Sequence, residues 1–199
     1  MARRSVFTLL LLLLGTGAIA QVSSSPLLSF NEKQIRIKRI GMLTLGGWAV
    51  GNMAVSGASA FNAGGSNLHF HRMNVYWNVV NLALAGFGYY GASRADPAAM
   101  DLAETLKDYY GTEKTLLFNA GLDVGYILGG LYLTERAKNA EKGRDMLKGF
   151  GQSVMLQGGF LLLFDTAFYL VLQRQEGGLT NLLSGLTFTG NAVAWVVRF

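Results

Sequence analysis

Residues 115–134 read TLLFNAGLDVGYILGGLYLT, a run of twenty positions whose only charged residue is Asp123. As a helix rising 1.5 Å per residue it extends about 30 Å, the thickness of a bilayer's hydrocarbon core. Similar runs occupy residues 40–60, 73–92 and 151–172. A shorter one, residues 182–197, makes about 24 Å of helix. It is read as a tilted short span, a re-entrant piece or a docked interfacial helix. The expected fold is all-α: a transmembrane helical bundle of four spans plus a short fifth. The terminal Phe199 raises a β-barrel, but barrel strands are roughly ten-residue alternating segments, unlike these long continuous runs.

Composition agrees. The 199 residues are 51% hydrophobic and 15% charged, with 26 Gly, 2 Pro and no Cys. Soluble domains carry about 25% charged residues. An ordinary soluble enzyme and a disordered chain are both excluded. The lack of Cys removes disulfides, thiolate metal sites, Fe–S clusters and cysteine catalysis.

The N-terminus carries Arg3 and Arg4, an apolar core and Ala18-Ile19-Ala20 before Gln21. This is the pattern of a secretory signal peptide over residues 1–20, the alternative being an uncleaved anchor. Residues 21–39 form a linker and basic interfacial segment, with Lys33, Arg36, Lys38 and Arg39 placed to meet lipid headgroups. Residues 40–199 form the helical membrane domain. Cleavage lowers the formal charge from +5 to +3, too little to argue for nucleic acid. The expected address is the bacterial inner membrane, multi-pass, with the mature N-terminus outside. Lys and Arg number eight outside and seven inside in that orientation, so the signal decides it rather than the positive-inside rule.

Between spans, residues 61–66 read as a Gly/Ser/Asn loop. Asp96-Pro97 reads as the start of a short acidic helix stopping near Gly111. Residues 135–148 read as a charged loop. The first two spans also echo each other: the ten residues from Trp48 and the ten from Trp77 share Trp, Val, Asn, Ala and Gly in register. Such an echo is either an inverted repeat, as in many transporters, or coincidence in apolar sequence.

Polar side chains inside spans carry the functional information, because hydrocarbon penalises them unless they are partnered. His71, Asn74, Asn78 and Asn81 follow a 3-4-3 spacing that keeps them on one helical stripe. Asn119, Asp123 and Tyr126 do the same in the third span. Thr44, Trp48, Asn52 and Ser59 align in the first, and Ser153, Gln157 and Asp165 in the fourth. Four inward stripes make a buried polar seam. Asp123 and Asp165 lie at about 12 and 11 Å from the outer ends of their spans, with no Lys or Arg at that depth. If their helices are neighbours, at least one acid is protonated or a cation sits between them.

Gly121, Gly125 and Gly129 form overlapping GxxxG units on another face of the third span, and Gly47 with Gly51 a weaker unit in the first. They are expected to be packing surfaces, for a neighbour in the same chain or for a second copy. This places the third span centrally. His69 and His71 stand two apart without a third ligand type, so no metal site is expected. No cofactor motif occurs.

The stretch His71-Arg72-Met73-Asn74-Val75-Tyr76-Trp77-Asn78-Val79-Val80-Asn81 resembles an uncharacterised family of small bacterial multi-span membrane proteins with an export signal. The resemblance covers mainly the first two spans. It implies a helical bundle and transfers no catalytic role.

Three functions follow, in order of preference. The first is a structural or accessory membrane component, not an enzyme, held together by the polar seam. The second is a small proton- or cation-linked permease or channel using Asp123 and Asp165 with Asn52, Asn78, Asn81 and Asn119. The third is an intramembrane enzyme using the two acids as a pair, although the Gly-x-Gly-Asp pattern of intramembrane aspartyl proteases is missing. The bilayer is the expected partner. A homo-oligomer remains open, and no protein partner is indicated.

Overall fold

The computed structural model describes residues 25–184, 186–189 and 192–195. The expected signal and its cleavage site lie outside the described residues, as does Phe199. The described chain is an all-α bundle. Its helices are α1 (Ser25–Ala60), α2 (Gly65–Arg94), α3 (Leu102–Lys138), α4 (Arg144–Gln173) and α5 (Glu176–Ser184). A short antiparallel hairpin follows, β1 (Leu186–Thr189) and β2 (Ala192–Trp195), pairing Leu186 with Trp195 and Thr189 with Ala192.

Several expected boundaries shift. The linker and basic segment do not precede a separate first span; they are its continuous N-terminal extension in α1. The acidic helix begins at Leu102, not Asp96, because Asp101 is its cap: Asp101 Oδ1 accepts from the Glu104 amide at 2.8 Å. It also runs through Gly111 into the third span. An interior glycine costs a helix about 1 kcal/mol, too little to break one otherwise supported on both sides. The charged loop shrinks, with residues 135–138 closing α3 and 144–148 opening α4 after Gly143, whose φ of 69° suits glycine. The expected fifth helical segment, 182–197, is helical only to Ser184 and then pairs as the hairpin. Thr187, Phe188, Thr189, Val193 and Trp195 are strand-favouring residues, and the run was too short to separate the two states.

Two helical stretches are long and apolar enough to cross a membrane: Leu102–Lys138 and Arg144–Ser184. The helices α1 and α2 have the length but are diluted by Gly, Ser, Asn and basic residues.

The bundle is two antiparallel hairpins, α1/α2 and α3/α4, joined mainly along α2 and α4. The helix α4, not α3, is therefore the central one. Its small residues explain this: Gly149 lies against Ser66 and Phe70 of α2, Gly151 against Gly130 and Thr134 of α3, and Gly158 against Asp123 and Tyr126 of α3. By contrast, Gly121, Gly125, Gly129, Gly47 and Gly51 have nothing within 4 Å of where a Cβ would stand. The expected glycine packing faces are thus open within the chain. The third-span helix packs instead through Gly130, one residue off the stripe.

Burial changes character along the bundle. At the end holding the N-termini of α1 and α3, an apolar core of Phe30, Tyr109, Leu116, Phe168, Leu172, Leu179 and Leu182 is covered as in a soluble protein. Below it the order inverts. Asn74, Asn78, Asn81, Asp123, Ser153, Gln157 and Asp165 are buried, while Val55, Val80, Phe87, Phe118, Leu128 and Leu163 are exposed. Only 17% of the apolar stretch of α3 and 28% of that of α4 is buried.

Candidate functional site

The inward polar stripes form two separate groups. The first is a closed amide network tying α1, α2 and α4. Asn74 donates to Asn52 Oδ1 (2.9 Å) and Ser56 Oγ (2.7 Å), and accepts from Gln157. Trp48 Nε1 donates to Gln157 Oε1 at 3.0 Å, and Asn52 returns to the Trp48 carbonyl at 2.9 Å. Asn78 donates to the Asn74 carbonyl (2.7 Å), and Asn81 to Asn78 Oδ1 (3.4 Å). His71 Nδ1 lies 3.3 Å from Ser56 Oγ, whereas His69 meets the edge of Phe150; the two imidazoles serve different neighbours. Trp48 stacks on Phe160 at 3.8 Å and 2°. Asn74 thus uses both amide protons and its oxygen, which removes the cost of burying it. Thr44 stays outside the network, exposed and bonded to the Ile40 carbonyl.

The second group is the acid pair. Asp123 of α3 and Asp165 of α4 are both buried and line the same cleft from adjoining helices. The two residues read from the sequence as sharing a depth thus stand on neighbouring helices, α3 and α4 being the most closely packed pair. Gly158, where a Cβ would lie 3.0 Å from the Asp123 carbonyl oxygen, brings the α4 backbone against Asp123 two turns ahead of Asp165. Asp123 Oδ2 has no donor. Two carboxyls share a hydrogen bond only when one carries the proton.

The acids lie on the floor of a cleft of about 1050 Å³ between α1/α2 and α3/α4. Asn81, Trp77, Asn119 and Tyr126 line the same floor, with Trp77 edge-on to Tyr126 at 4.8 Å. The walls are mostly apolar, among them Met42, Leu84, Leu116 and Phe164. The lining cations, Lys38 and Lys107, belong to the opposite end, about 22 Å along α3 from Asp123 to Asp108. There Lys38 Nζ pairs with Asp108 at 2.5 Å, and Gln34 donates to the other carboxylate oxygen at 2.9 Å. Beyond the floor, Trp48, Phe160, Gln157 and Asn74 pack together and bound the cleft on that side.

Sequence reading missed the residues that tie down the end of α2 and the loop after it. Asn31 is fully buried, donating to the carbonyls of Pro97 (3.1 Å) and Met100 (3.3 Å) and accepting from Thr105 Oγ1 (2.8 Å). Arg39 donates to the carbonyls of Ala92 (3.1 Å) and Ser93 (3.4 Å) at the end of α2. Both sit in the segment read as facing lipid headgroups, and only the long-range fold shows their partners.

Neither a curated protein nor a solved structure matches the chain. Residues 44–166 match a family described only as one of unknown function, DUF6992. That range holds all four inward polar stripes, both acids and the stretch around Asn74–Asn81. The chain belongs to this family.

Proposed function

We propose that the protein is an integral membrane protein of four crossings that binds a cation in its cleft and works as a small proton- or cation-linked permease. The bilayer address rests on the inverted burial: a water-soluble bundle hides Leu and Phe and exposes Asn and Asp, and here the reverse holds through the middle of the bundle. A segment such as α3, apolar yet mostly uncovered, is suited to hydrocarbon surroundings. The inner-membrane location, the cleaved signal and the outer N-terminus belong to the same proposal. They put the mouth of the cleft on the outer side.

The single observation that carries the transport reading is the burial of Asp123 and Asp165 together at the floor of one cleft, away from any lining Lys or Arg. A carboxyl pair holding one proton has one negative charge to offer. A cation arriving from the mouth displaces that proton or joins the pair, so cation binding and proton release are linked. On this reading the packed layer of Trp48, Phe160, Gln157 and Asn74 blocks passage on one side of the acids, as alternating access requires of a single state.

Reconstitution in proteoliposomes tests it. A cation gradient should drive proton movement, and the Asp123→Asn, Asp165→Asn double variant should abolish it. Unchanged flux in the double variant discards the reading. A structural or accessory role is the second reading, favoured by the closed amide network. It expects no flux in the wild type and loss of stability alone when that network is cut.

A further inference from the structure

Resting on the cation-binding reading, we propose that the ligand of the cleft is an amphiphilic amine, with its ammonium head at Asp123 and Asp165 and its apolar chain lying along the cleft towards Lys38 and Asp108. Size is the first argument. A volume of about 1050 Å³ is at the upper end of drug-sized pockets, whereas a water molecule's share of the liquid is about 30 Å³. A bare metal ion or a proton leaves nearly all of that space unused.

Shape and chemistry give the second. Polar groups gather at the floor, while Met42, Leu84, Leu116 and Phe164 make the path above it apolar. Such a path suits an alkyl chain and penalises a hydrated ion. At the floor, Asp123 Oδ2 is buried and lacks a donor. An ammonium head supplies three donors. The Trp77 and Tyr126 rings beside it add surfaces that attract an organic cation when water is excluded.

The sign of the charge is the third. An anionic amphiphile, such as a fatty carboxylate, would need a free cation beside the floor. Lys38 is already neutralised by Asp108, Lys107 stands about 24 Å along α3 from Asp123, and the deep end carries acids. The primary ammonium can come from a free alkylamine or from an aminolipid headgroup. An aminolipid brings a phosphate beside its ammonium, which the two acids would repel, so the free amine is the better fit.

The test uses the full-length protein in phosphatidylcholine nanodiscs, with tryptophan fluorescence as the readout because Trp77 lines the floor. The probes are n-decylammonium, methylammonium and n-decanol. The wild type should bind n-decylammonium at least tenfold tighter than either of the others, and the Asp123→Asn, Asp165→Asn variant should lose that preference. Should the double variant not fold, each single Asn variant gives the same comparison, and the wild-type probe series stands alone. Nanodiscs containing phosphatidylethanolamine identify the source. Undiminished amine binding there supports the free amine, and competition overturns that choice in favour of the lipid. Equal binding of n-decylammonium and n-decanol overturns the proposal. If proteoliposomes still show proton flux dependent on the two acids, the permease reading survives that result; if they do not, both fall.

Discussion

Gly130 of α3 and Gly151 of α4 meet backbone against backbone: a Cβ built on either would stand 2.6 Å from the other's carbonyl oxygen. Neither neighbour is a flexible side chain that can step aside. Gly151→Ala should therefore push the hairpin apart and destabilise it by about 1–3 kcal/mol, the usual cost of overpacking. Gly125→Ala, at a site with open space, should be neutral or stabilise by up to about 1 kcal/mol, since it removes glycine's helix penalty. Thermal unfolding of the two variants in detergent should move in opposite directions or differ by several degrees. A Gly125→Ala variant that loses more stability than Gly151→Ala would show that the exposed stripe is covered in solution.

This contrast shows what the sequence made legible. The 3-4 spacing of Asn74, Asn78 and Asn81 identified a buried stripe because period and polarity are properties of one helix. The nearness of Asp123 and Asp165 was legible as a shared depth, on the condition that their helices touch. Which glycines pack depends on how two helices rotate against each other, so the more regular GxxxG series was taken over Gly130 and Gly151. The cleft was invisible for the same reason: it exists because α2 and α3 stay apart while α2 and α4 meet. The split of the seam into an amide network and an acid pair is likewise a matter of helix order. The shift of the centre of the bundle from α3 to α4 follows from Gly149, Gly151 and Gly158 together, none of which forms a repeating motif.

Asn74 is the hub of the amide network, so Asn74→Leu should be costly. It strands Gln157 Nε2 and the Asn52 oxygen, and leaves the Ser56 hydroxyl with His71 alone. Orphaned polar groups cost roughly 1–3 kcal/mol, and under the proposed membrane reading interhelical bonds average nearer 1 kcal/mol. Unfolding by SDS titration should show a loss of about 1–3 kcal/mol. Gln157→Leu should cost a similar amount, and the double variant less than the sum, because both changes break the same bond. Strict additivity would mean that the two amides do not interact.

Asn31 clamps the loop between α2 and α3 through two carbonyls and one hydroxyl. Asn31→Ala should leave the long helices intact but release residues 95–101. The lost bonds are worth about 1–2 kcal/mol net, which corresponds to roughly tenfold faster amide exchange in peptides covering that loop and the first turn of α3. Hydrogen-exchange mass spectrometry reads this directly. Unchanged exchange there, with faster exchange in the middle of α1, would place the role of Asn31 elsewhere.

Tyr109 lies in the N-terminal extension of α3, ahead of the apolar stretch, and is 1% exposed. Burial pushes its hydroxyl up from 10.0 to about 12, with the carboxylates of Glu113 and then Glu176 adding to the shift. The neutral form is the one that donates to the Leu172 carbonyl at 3.4 Å. A folded pKa above the unfolded one means that both states hold the proton below pH 10, where the full stabilisation is present. Between pH 10 and about 12 the unfolded chain releases the proton while the folded chain keeps it, so stability falls as pH rises. The slope approaches about 1.4 kcal/mol per pH unit, and the total loss from this group is about 2–3 kcal/mol. Tyr109→Phe removes this contribution, so the difference between wild-type and variant unfolding free energies should be flat up to pH 10 and change steadily above it. Ultraviolet difference titration of wild type against Tyr109→Phe offers an independent check, since the tyrosinate signal missing from the variant should be one that appears well above pH 10. A difference curve that stays flat to pH 12 would mean that the Tyr109 hydroxyl is reached by water.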